Sequence, residues 1–145
     1  MTEEQLKKID WLNRAFRADQ KVNALIAVQE QNKSLACRCT ATYGGDGSTS
    51  GSHTNSQEAI LHKICDQSIE IDFLIDHLAD MRKEIGNVIA TVGDDELEAI
   101  LYQRYLAYKS IQEIADSMHY DRKTIQRKHV KSLDKIENIV DDDVK

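Results

Sequence analysis

Ile64, Ile71, Leu78, Ile85 and Val92 stand seven residues apart, with Ile60, Leu74, Met81 and Val88 between them. This ladder constrains the 145-residue chain more than any other feature. An apolar position every 3.5 residues forms one seam along a helix, and a second helix must cover that seam along most of its length. Gln67 is the polar break in the ladder. The nearest partner lies upstream. Thr2-x-x-Gln5 is a capping-box pattern, after which Leu6, Ile9, Leu12 and Phe16 recur at helical spacing, continuing less cleanly through Val22, Leu25, Ile26 and Leu35.

One long first helix is therefore predicted, then a loop at about 41–56, where Tyr43 to Ser52 holds four of the six glycines. A glycine-rich phosphate cradle would need a preceding strand and a Gly-Lys-Ser/Thr ending, and both are missing. Asn55-x-x-Glu58 is predicted to cap the second helix. The two helices, each roughly 30 to 35 residues or about 50 Å long, are expected to form an antiparallel, coiled-coil-like hairpin. An intermolecular coiled coil uses the same surface, so a homodimer through the second helix stays open.

The absence of proline and an aromatic content of only 6% also favour an all-α fold. The net charge of −6 argues against nucleic acid until its distribution is considered. Lys109 to Lys135 contains seven basic and four acidic residues, against twelve and twenty-one in the rest of the chain. No apolar run approaches the roughly 18 residues of a membrane span, so neither membrane insertion nor export is indicated and a cytoplasmic location is expected. Cys37, Cys39 and Cys65 then read as free thiols. Cys37-x-Cys39 with His53 or His62 matches no common zinc spacing. Asp72, Asp76 and Asp80 form a stripe that is expected to be solvated or paired with Arg14, Arg17 or Lys21, and not to bind metal. No nucleophile and base pair stands out, so no enzyme, cofactor or metal site is expected.

Gly93 is a helix stop and Asp95-x-x-Glu98 a restart, predicting a division into 1–93 and 94–145. In the second part Leu97, Ile100, Leu101 and Tyr105 are expected to be buried. Ser110-x-x-Glu113 opens a short helix with Ile111, Ile114, Ala115 and Met118 on one face. Met118 to Asp121 breaks it, and Asp121 is expected to cap the next helix. That last helix turns Ile125, Leu133 and Ile136 inward and presents Arg122, Lys123, Gln126 and Arg127, followed by Lys128 and Lys131. Long bidentate donors, an amide and flanking lysines suit base edges and phosphates of double-stranded DNA. A solvated amphipathic helix is the plainer reading of the same face.

Leu97 to Ile136, with Leu101-x-x-Arg104-Tyr105-Leu106, Glu113-Ile114-Ala115, Thr124-Ile125 and Leu133-x-x-Ile136, resembles the region-four domain of sigma factors. The whole chain is similar to a family of phage and prophage proteins of Gram-positive bacteria, grouped with phage late-operon transcription activators. The resemblance implies a small three-helix helix-turn-helix module after the hairpin, with Arg122, Lys123, Gln126 and Arg127 at the major groove. It implies a sequence-specific transcriptional regulator acting with host RNA polymerase or another phage protein. Two positions depart from the pattern: His119 stands where the turn often has glycine, and Lys123 where sigma factors often carry an acid. No sigma region two is recognisable, so promoter melting alone is not implied. The alternative is a helical assembly or adaptor protein that binds protein partners without DNA.

Overall fold

The structure, a computed structural model, describes residues 1–43, 52–137 and 139, and for side chains omits 39–56. Helices α1 (Glu3–Leu12), α2 (Arg14–Tyr43), α3 (Ser52–Ile89), α4 (Asp95–Tyr105), α5 (Ile111–Met118) and α6 (Arg122–Lys135) follow in order, with a 3-10 turn at Ala90–Val92 after α3. Among the described residues all regular structure is helical, and no helix is long and apolar enough to cross a membrane.

Several local expectations change. The first helix is interrupted at Asn13, whose ψ of −4° falls well short of the helical value near −42°. Trp11, Leu12 and Ala15 are buried, while Leu6 within α1 and Phe16 beyond the break are exposed. Helix α2 continues to Tyr43 and α3 begins at Ser52, so both ends of the expected 41–56 loop are helical and Asn55 lies inside α3; residues 44–51 are outside the described set. Gly93 ends the 3-10 turn in the left-handed region at φ 78°, where glycine has no Cβ penalty. The cap of α4 is Asp94, one residue earlier than expected. Its carboxylate accepts from Glu96 N and Leu97 N, while Glu98 reaches back to Gly93 N.

Contacts divide the chain into two compact units, residues 1–18 with 78–145, and residues 19–77. The division falls inside α2 and α3 and not at residue 93. The physical reason is a shared core: Trp11, Leu12, Ala15, Leu78, Ile85 and Ile89 pack with Leu97, Leu101, Tyr105, Leu133 and Ile136. Most of these are completely removed from solvent, which is the main source of stability in a chain of this size. A second cluster, Ile100, Ile114, Ala115 and Ile125, joins α4, α5 and α6. Ala115, on the predicted inward face of α5, is buried there.

Within residues 19–77 the buried set among the described residues is Val22, Gln29 and Ile71. The Gln29 amide donates to Ile64 O at 3.2 Å and Ser68 Oγ at 2.5 Å, and Asn32 Nδ2 donates to Gln67 Oε1 at 2.9 Å. The polar break in the ladder is thus matched by polar groups on α2, which removes the cost of leaving buried donors and acceptors unpaired.

Candidate nucleic-acid interface

Helix α5 is set by its predicted capping box. Ser110 Oγ accepts from Glu113 N at 3.2 Å, and the Glu113 carboxylate accepts from Ser110 N at 2.9 Å. It ends at His119, which adopts φ 59° and ψ 40°, a left-handed conformation that costs a non-glycine residue roughly 1–2 kcal/mol. Tyr120 N then donates to Ala115 O at 3.0 Å, closing the turn. Asp121 is the N-cap of α6 by backbone, its carbonyl accepting from Ile125 N. The expected side-chain cap is not made, and Asp121 is exposed. The Asp121 side chain therefore leaves the first-turn N–H groups of α6 uncapped.

The inward face of α6 carries Ile125, His129, Ser132 and Leu133. His129 Nε2 lies 2.7 Å from the Tyr105 hydroxyl. Burial, reinforced by the charge of Arg104, lowers the His129 pKa to about 4, and burial raises that of Tyr105. The C-terminal turn of α6 is tied to α1: Lys8 Nζ donates to Leu133 O at 3.1 Å and Gln5 Nε2 to Asp134 Oδ1 at 2.6 Å. A cation on the last carbonyls is favourable there. The sequence gives no local signal for these tethers, which join residues more than a hundred positions apart.

With one face and both ends fixed, the outer face is determined. Arg122, Lys123, Gln126, Arg127 and Lys131 are exposed, and the structure brings Lys123, Gln126, Arg127 and Val130 together around an open depression of about 500 Å³. Lys128 stands apart from this set. Its ammonium is 2.9 Å from Glu96 Oε1 on α4 and 4.9 Å from the Tyr120 ring centroid. The Tyr120 hydroxyl and Lys128 hold the Glu96 carboxylate below the usual carboxylate range, and Glu96 in turn raises the pKa of both Tyr120 and Lys128. Glu96 and Tyr120 were not among the residues singled out from sequence; no short-range pattern links them to Lys128.

The other candidates are not assembled into sites. Asp72, Asp76 and Asp80 are exposed, Arg14 pairs with Glu84 at 3.3 Å, and Arg17 pairs with Asp10 at 2.7 Å. No metal-ligating cluster occurs among the described residues. Cys37 and Cys65 are exposed free thiols, while the side chains of Cys39 and His53 lie outside the described set. Comparison of the chain with protein-family models, curated proteins and solved structures finds no match in any of the three.

Proposed function

We propose that the protein is a sequence-specific DNA-binding transcriptional regulator of phage type. In this reading α5 and α6 form the helix-turn-helix of a region-four-like module, and α2 and α3 form an antiparallel hairpin that contacts RNA polymerase, another phage protein or a second copy. The observation that carries it is the exposed face of α6: Arg122, Lys123, Gln126 and Arg127 point outward while the opposite face is buried and both helix ends are fixed. A pre-positioned helix of this kind can meet base edges without first ordering its side chains' backbone, and its uncapped first turn favours a phosphate oxygen. Arg122 and Arg127 take guanine edges, Gln126 suits adenine, and Lys131 neutralises a phosphate. Lys123 at an early position of α6 gives a base preference different from that of sigma factors carrying an acid there.

Unbiased selection of bound duplexes from a random pool tests the reading. A defined motif should emerge, and Arg127→Ala should cost about 1–3 kcal/mol on it while flattening discrimination at one base pair. Failure of the folded chain to retain any duplex would overturn the DNA assignment. A helical adaptor is the second reading, favoured by Ile69 and Phe73, which expose more than two thirds of their surface on α3.

A further inference from the structure

Two exposed surfaces of this chain are complementary to one another. On α3, a rotation of 100° per residue sets Ile69 and Phe73 on the side of the helix opposite Ile64 and Ile71. Ile69 is 69% and Phe73 68% exposed, and the Phe73 ring lies parallel to His77 with centroids 6.4 Å apart. Asp66, Glu70, Asp72 and Asp76 surround this apolar knob, all exposed and, among the described residues, in no ion pair. On α6 the polarity is reversed. Val130 lies in an open depression rimmed by Lys123, Arg127 and Gln126, and neither cation is in an ion pair among the described residues.

We propose that the Ile69–Phe73 knob of one copy docks in the α6 depression of a second copy. The apolar residues leave water together while the acidic ring meets the basic rim, so attraction and burial act at the same contact. Knob against knob would oppose carboxylates to carboxylates, and depression against depression cations to cations; both symmetric pairings are repulsive. The contact is therefore heterologous, and each copy keeps a free knob and a free depression, so assembly continues past a dimer unless it closes into a ring. The docked knob occupies Lys123 and Arg127, so self-association and polyanion binding compete. This does not rest on the DNA reading, although it uses the same face of α6.

Sedimentation velocity on the full chain at several concentrations and salt levels, with Asp76→Lys, Phe73→Ser and Arg127→Glu, tests the proposal. The wild type should form concentration-dependent species larger than a dimer at low ionic strength and disperse as salt rises. Each variant alone should be monomeric, with helical content unchanged by circular dichroism. An equimolar mixture of Phe73→Ser and Arg127→Glu should give a discrete dimer, because the mixture retains one intact knob and one intact depression that can meet, and the two altered surfaces have no complementary charge. A wild type that stays monomeric would assign the knob to another protein and overturn the proposal, as would a mixture that stays monomeric or variants that assemble like the wild type. Asp76→Lys should still bind selected duplexes; loss of duplex binding by the wild type as well would fault the DNA reading and leave the docking result standing.

Discussion

The two units handle the same kind of amphipathic helix differently. In the unit formed by residues 1–18 and 78–145, several helices surround each apolar side chain, and Leu12, Ile85, Ile89, Ile100, Leu101, Ile114, Ile125 and Leu133 lose all contact with water. Residues 19–77 offer two long helices, and among the described residues their buried set is Val22, Gln29 and Ile71, while Ile69, Phe73, Leu35 and Leu61 remain exposed. Two helices make a line of contact, whereas several make a volume. The first unit therefore presents a surface whose geometry is fixed from behind. The second presents apolar surface that other molecules can cover.

The sharpest way to break this comparison is to separate residues 94–145 from the rest. That fragment contains α4, α5 and α6 but lacks Trp11, Leu12, Ala15, Ile85 and Ile89, which close its core. Expressed alone it should show no cooperative thermal transition. A fragment melting as sharply as the full chain would show that the small Ile100, Ile114, Ala115 and Ile125 cluster suffices. Next in size is a pair of truncations. Leu12→Ala removes a fully buried side chain and should cost about 2–5 kcal/mol in urea unfolding. Val22→Ala, in the thinner seam, removes fewer atoms beside half-exposed neighbours and should cost clearly less. Equal costs would mean that the two units are equally well packed.

Much of this arrangement is legible in the sequence where a short-range rule controls it. The capping boxes at Thr2 and Ser110, the stop at Gly93, and the burial of Ile71, Leu78, Ile85, Leu97, Ile114 and Ile125 each follow from a spacing of a few residues. The division by contacts lies inside α2 and α3 and not at residue 93, because the periodicity of α3 says that it needs a partner and not which one. Phe16 was placed on the face of Leu12 by extending one helical phase through Asn13, where the backbone departs from it, whereas Leu6 lies before that break and is exposed within α1 itself. Tyr108 was not singled out at all. It adopts φ 60° between α4 and α5, with its hydroxyl 2.7 Å from Arg82 Nη1 and its ring 5.4 Å from Phe16. The outer face of α6 was readable because helical phase alone separates it from Ile125, His129 and Leu133.

Buried polar groups sharpen the contrast further. The smaller seam buries Gln29, which does not titrate, whereas the larger core buries His129, which does. His129 is held neutral in the folded chain with a pKa of about 4, against 6.5 when free. The unfolded chain therefore binds more protons between these values, so stability is complete above pH 6.5 and declines as pH falls toward 4. The loss is about 3 kcal/mol over that window. His129→Gln should remove this component of the slope in urea titrations between pH 7 and pH 4. An unchanged slope would mean that His129 is solvated in the folded state.

The smallest expected effect concerns two lysines one turn apart. Both were expected to neutralise phosphates, but the packing of α4 against α6 brings Glu96 within 2.9 Å of Lys128, whereas Lys131 is exposed with no ion pair among the described residues. If DNA binding releases one counterion for each lysine that meets a phosphate, Lys131→Ala should make the salt slope shallower by about 0.9. Lys128→Ala should leave the slope nearly unchanged, because its charge is already offset by Glu96. Glu96→Gln then provides the decisive comparison. It removes the internal acceptor charge, frees Lys128, and should steepen the slope by a similar amount in the wild-type background, with no change in the Lys128→Ala background. The absence of that dependence on Lys128 would show that the Glu96 effect is a general loss of negative charge. Equal slopes for Lys128→Ala and Lys131→Ala would show that the Glu96 contact opens when DNA binds.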